Sequence, residues 1–179
     1  MKIFTIHLNV KKIPPIAERG RHVLILLQDV SDHYILGTKK MYPRGIVRFV
    51  GGGVEKHETF LQAARRELYE ELKISCGLKE PHELVQIIAH LTDHEGKKAY
   101  FVTTVYFLEL GLRGVLPASD LNGVVRFTDE QFQNLIDHYH QLSTRIDPEL
   151  HFAWYDYGQL YGFIHEVAWR EFQKLLALR

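Results

Sequence analysis

The stretch that most limits how this chain can fold is residues 51–74, GGGVEKHETFLQAARRELYEELKI, in which glycines and a short acidic link lead into a segment with glutamates at 67, 70 and 71. The glycines predict a turn. On a helix advancing about 100° per residue, Glu67, Glu70 and Glu71 share one sector, while Leu61, Ala64, Leu68 and Leu72 form a separate stripe. The segment therefore predicts a helix with one carboxylate face and one core face. Thr59 followed by Gln62 fits a capping box, which satisfies backbone N–H groups at a helix start. Lys73 suits the negative end of the helix dipole, and Gly77 is the nearest residue that takes a left-handed closing conformation without strain. A helix over 59 to about 75 is expected.

Like charges at i,i+4, here Glu67 and Glu71, cost an isolated helix about 0.2–0.5 kcal/mol. Arg66 lies about 40° round the helix from Glu70 and can neutralise one of the three glutamates. Clustered hard oxygen ligands suit Mg²⁺ or Mn²⁺ shared with a substrate phosphate. A bare ELYEEL segment reads first as a solvated helix face, so the residues before it decide.

Gly52, Glu58, Arg66, Glu67, Leu68, Glu70, Glu71 and Ile74, at these spacings, resemble the signature of the Nudix hydrolases and match eight of its nine positions. The ninth departs: Lys73 stands where the family has glycine. Val50 replaces the proline that commonly precedes the glycine pair, and His57 replaces a glycine before the first glutamate. None of the three changes removes a carboxylate.

The resemblance implies an α/β/α sandwich, a mixed β-sheet with helices on its faces, and a Mg²⁺-dependent hydrolase, with Mn²⁺ as substitute. The implied reaction cleaves the pyrophosphate of a nucleoside diphosphate linked to another group, such as a nucleotide sugar, or of a nucleoside triphosphate. It implies Glu70 and Glu71 as principal metal ligands, Glu67 as ligand or general base, Arg66 as the residue orienting a glutamate, Glu58 as an outer ligand, and the Gly51 carbonyl as a further ligand. In the family the base can also come from a distant loop, for which Glu109 and Asp120 are candidates; the bland reading makes both surface acids. No motif for a particular substrate follows the signature. The altered neighbours keep a second reading open, a non-catalytic nucleotide-binding or regulatory module on the same fold.

Around this segment, period-two alternation predicts a strand at 2–10, a connection through Pro14 and Pro15, a buried apolar strand at 22–28 and its partner at 34–38. Lys39, Lys40 and Arg44 precede the apolar stretch 46–50 and stand where cations meet a phosphate, unless they form an ordinary solvated loop. Strands follow at 83–90, 99–110 and 123–127, then a helix over 129–142 capped by Thr128, and a last helix from about 157 to 177. Its apolar stripe, from Leu160 to Leu176, must pack on the sheet or at a homodimer interface.

At 179 residues the chain fits one domain. Its 22 basic and 22 acidic residues cancel, which excludes a global basic field for nucleic acid or membrane surfaces. A small-molecule nucleotide partner remains the expectation. Cys76, the single cysteine, fits a reducing compartment; with no apolar signal core or spanning run, a cytoplasmic location is expected. Among eleven histidines no zinc spacing emerges, because Trp169 stands where a second histidine would follow His165 and Glu166. His57, inside the signature loop, reads as a surface histidine before it reads as a pH switch. The aromatics of 151–161 read as core packing under the last helix, with a stacking wall for a nucleobase as the sharper alternative.

Overall fold

The computed structural model describes residues 2–75, 79–111, 115–118 and 121–178; Cys76, Gly77 and Asp120 lie outside them. Strands β1 (Lys2–Val10), β2 (Arg21–Gln28), β3 (Tyr34–Thr38), β4 (Val50–Gly53), β5 (His82–Asp93), β6 (Lys98–Glu109) and β7 (Gly123–Phe127) form one mixed sheet. Its order is β1-β5-β6-β2-β3-β7, with β4 paired to β2. The pairs β1–β5 and β2–β6 are parallel and the rest antiparallel.

β2 is the pivot of the sheet. One side runs along β6, and the other is shared between β4, along His22–Ile25, and β3, at Leu27 and Gln28. Alternation along β2 splits the core into two layers. Val23, Ile25 and Leu27 pack under α1 (Phe60–Leu72), against Ala64 and Leu68. Leu24 and Leu26 face the opposite layer, built by α2 (Asp129–His140) and α3 (Trp154–Leu176). The result is the expected α/β/α sandwich.

Leu160, Ile164, Ala168 and Phe172 of α3 are fully buried within the chain. Each large apolar side chain so buried contributes about 1.5–3 kcal/mol relative to exposure, so this part of the stripe packs inside the chain, against the sheet and α2. No helix among the described residues is long and apolar enough to cross a membrane.

β5 runs to Asp93, three residues past expectation, and α2 ends at His140, two short of it; three further differences have clear physical reasons. Gly51, Gly52 and Gly53 are not a turn but the body of β4, and the reversal falls at Lys56 and His57. Glycine is required there because the strand lies so close to β2: a Cβ on Gly51, whose φ is 140°, would sit 2.2 Å from the Val23 carbonyl oxygen. α1 does not wait for Gly77 to close. Lys73 itself adopts the left-handed conformation, at φ 56° and ψ 27°, and its N–H donates to the Tyr69 carbonyl at 2.9 Å. α3 begins at Trp154, three residues early, because Asp147 accepts the Trp154 indole N–H at 3.1 Å and Asp156, in the first turn, accepts the Lys11 backbone N–H at 2.9 Å.

Candidate active site

The site forms where α1 crosses β4. The capping box is present, since Thr59 Oγ1 accepts from Gln62 N and Gln62 Oε1 accepts from Thr59 N. It starts the helix so that Arg66, Glu67, Glu70 and Glu71 come down beside the glycines. With no side chain on Gly52, Glu67 approaches the strand closely; a Cβ on Gly52 would meet Glu67 Oε1 at 2.3 Å.

The carboxylate face is not the solvated one that helical periodicity alone predicts. Glu67 and Glu71 are buried, 8% and 2% exposed, because they point at β4, and Glu70 alone of the three is half exposed. Arg66 does more than neutralise one glutamate. Its Nε and Nη2 donate to the two oxygens of Glu58 at 2.7 and 2.9 Å, and its Nη1 donates to Glu67 Oε1 at 2.8 Å and Glu70 Oε2 at 3.0 Å. Nη2 also holds the Gly53 carbonyl, at 2.9 Å. One guanidinium thus gathers Glu58, Glu67 and Glu70 and ties them to the strand.

Glu71 is held separately. Its Oε2 accepts the Gly51 N–H at 3.0 Å. Oε1 is sealed from solvent without a hydrogen bond of good geometry, and the Lys39 ammonium stands 3.1 Å away as its counter-charge. Burial raises the Glu67 carboxyl above its ordinary range, and Arg66 offsets this only in part. At Glu58 the Arg66 hydrogen bonds win and hold the carboxyl below that range.

A pocket of about 410 Å³ opens beside these groups, with Gly52, Arg66, Glu67 and Glu70 at one end. Tyr42, Phe152, Trp154 and Tyr157 supply an aromatic wall. The same three aromatics of the last segment also belong to the core, as the packing reading of residues 151–161 expects, and they line the pocket above it. Lys39 lines the pocket, whereas Lys40 and Arg44 are exposed and outside its lining. His57 is exposed in the turn, Glu109 faces Lys79 at 3.9 Å, and neither lines the pocket.

Two cations of the pocket escape the sequence reading. Arg48 is buried and donates to the Gly51 carbonyl at 2.6 Å, the oxygen expected to meet a metal. A lone arginine inside the apolar run IVRFV was a readable signal of a buried charge. Arg19 ends the short 3₁₀ helix Pro15–Arg19 and reaches Gly53, where a Cβ would lie 3.3 Å from its Cδ and Nη1. Nothing local in the sequence marks it. Among the described residues, no three His, Cys, Asp or Glu side chains converge as a ready-made metal cage.

Comparison with known proteins agrees with this geometry. No curated protein matches the sequence. The E. coli dihydroneopterin triphosphate pyrophosphohydrolase superposes with a TM-score of 0.54 at 16% identity, over 67% of this chain and 86% of that one. A MutT protein from Methanosarcina mazei Go1 gives 0.52 at 16% identity, over 84% and 93%. A MutT/nudix family protein from Enterococcus faecalis gives 0.50 at 20% identity, over 65% of this chain but only 46% of that longer one. These likenesses establish the fold. The family model of the NUDIX domain matches residues 18–173, and with the signature helix placed against its glycine strand, the chain belongs to the Nudix hydrolase family of pyrophosphohydrolases.

Proposed function

We propose that this Nudix hydrolase cleaves the phosphoanhydride of a nucleotide derivative, with Mg²⁺ or Mn²⁺ held by Glu67, Glu70 and Glu71 and supported by Glu58. The carrying observation is the Arg66 guanidinium, which gathers Glu58, Glu67 and Glu70 beside the pocket. The donor set fits a hard divalent ion. It is all carboxylate oxygen, and the buried Glu71 Oε1 has no hydrogen bond, with the Lys39 ammonium 3.1 Å away as its ion-pair partner. When bound, such an ion supplies Lewis acidity toward a phosphoryl oxygen and lowers the pKa of water.

The chain's own residues do the rest. Arg66 fixes the carboxylates in place through charge-assisted hydrogen bonds. The Gly51 carbonyl, already accepting from Arg48, has its second lone pair for a metal. Burial favours the protonated form of Glu67 relative to an exposed glutamate, which suits a group that takes up a proton. Tyr42, Trp154 and Tyr157 give the pocket an aromatic lining beside which a nucleobase packs.

A panel of nucleoside triphosphates, nucleotide sugars and dinucleotides, assayed with Mg²⁺ and with EDTA, tests the reading. Metal-dependent turnover lost in the Glu70→Gln, Glu71→Gln double variant is expected. Full activity of that variant, or no turnover of any substrate, would overturn it. The second reading, a nucleotide-binding module without catalysis, is favoured by the Lys39–Glu71 ion pair, which occupies a carboxylate a metal needs. Tight nucleotide binding without metal, with ligand recovered unchanged, is its signature.

A further inference from the structure

Most charges around the pocket are already matched. Arg66 is committed to Glu58, Glu67 and Glu70, and Lys39 to Glu71. Arg19 and Arg48 are different, because among the described residues neither has a carboxylate within ion-pair distance. Arg48 is 5% exposed, and Glu71 attracts its charge only from beyond ion-pair distance, so the desolvation of the buried guanidinium is only partly offset. Its partners are the Gly51 carbonyl, the Tyr161 hydroxyl at a long 3.4 Å, and the ring faces of Tyr42 and Tyr161 at 6.0 and 5.9 Å.

The two arginines also bracket one place. Arg19 lies against Gly53 and Arg48 holds Gly51, so they flank Gly52, the residue that faces Glu67. Both line the pocket that carries the aromatic wall. A second unmatched group lies in the same wall: the Tyr157 hydroxyl is sealed from solvent with no hydrogen-bond partner. Guanidinium groups bind phosphate oxygens through paired N–H donors.

Resting on the hydrolase reading, we infer that Arg19 and Arg48 are specificity-determining residues that receive phosphate oxygens beyond a single diphosphate, so that the pocket selects nucleoside triphosphates over diphosphates capped by an uncharged sugar. A triphosphate brings an extra ionised phosphoryl group to the two unmatched guanidiniums. A neutral hexose brings hydroxyls, which add no counter-charge to either arginine. The aromatic wall holds the base in either case, so the discrimination lies in the arginines.

The test is calorimetric titration, with Mg²⁺, of methylene-bridged analogues of GTP and of GDP-mannose, which share a base and resist hydrolysis. The native chain is expected to bind the triphosphate at least about tenfold more tightly. Arg19→Gln and Arg48→Lys are each expected to weaken the triphosphate about tenfold and the sugar nucleotide less than about threefold. Equal affinities in the native chain, or parallel losses for both ligands, would overturn the inference. Arg48 is buried, so circular dichroism checks its variant; if Arg48→Lys does not fold, the exposed Arg19→Gln decides alone. Failure of the hydrolase reading appears separately, as selective binding without metal-dependent release of phosphate or pyrophosphate from GTP.

Discussion

Arg66 grips Glu58 with two parallel hydrogen bonds, Nε to Oε1 at 2.7 Å and Nη2 to Oε2 at 2.9 Å, across the turn that joins β4 to α1. This pair turns a loop glutamate and a helix arginine into one rigid unit, from which Glu67 and Glu70 are hung. Replacing Arg66 with Gln removes the fork and leaves the carboxylates to repel one another. The expected cost is about 1–3 kcal/mol of stability, since the side chain is only 24% exposed. The expected loss in kcat/KM is about a hundredfold from misplaced carboxylates. Urea denaturation and steady-state kinetics on the same preparation check both.

Gly52 separates structural from catalytic damage. In Gly52→Ala the new methyl carbon meets Glu67 Oε1 at 2.3 Å, and Glu67, fixed by Arg66, must leave its position. Turnover is expected to fall about a hundredfold while the chain still folds. Gly51→Ala meets the backbone of Val23 instead, at 2.2 Å and at φ 140°, and is expected not to fold. Circular dichroism beside an activity assay distinguishes the two.

Lys73 is a strained helix terminus. A non-glycine residue in the left-handed region costs roughly 1–2 kcal/mol, and at φ 56° Lys73 bears that cost with its ammonium 4.8 Å from the Tyr69 ring centre. Lys73→Gly is expected to stabilise the chain by about 1 kcal/mol, read as a higher urea midpoint at unchanged slope. No gain, or a loss, would mean that the Tyr69 contact offsets the strain.

His165 sets an acid limit. The Phe49 N–H donates to its Nε2 at 3.0 Å, which leaves Nδ1–H to donate to the Tyr161 carbonyl at 2.7 Å, so the ring is neutral. Burial lowers its pKa to about 3, below the unfolded value near 6.5. In that interval the unfolded chain binds the extra proton, so stability is full above about pH 6.5 and falls as pH drops toward 3, by about 1.4 kcal/mol per unit from this group. Buried His22, also lowered by burial, acts with the same sign. Urea midpoints at pH 7, 6 and 5 are expected to fall more steeply in the native chain than in His165→Asn.

The order of the elements other than β4, the capping box at Thr59, the cap at Thr128 and the signature helix were legible in the sequence. They depend on period, spacing and short-range hydrogen bonds, which neighbouring residues settle among themselves. Even the closure of α1 was a local matter, misread only because lysine seldom takes the conformation that glycine takes freely.

What tertiary structure alone decided is which charges meet. Helical periodicity put Glu67, Glu70 and Glu71 on one face, but burial of Glu67 and Glu71 and exposure of Glu70 follow from the close approach of α1 to β4. Of three expected phosphate cations only Lys39 lines the pocket, and Arg19 and Arg48 arrive from segments far apart in the chain. The physical reason is range. A cap or a stripe is fixed within a few residues, whereas the partner of a charge is set by how strands β2 and β4 bring distant segments together, and no local pattern encodes that distance.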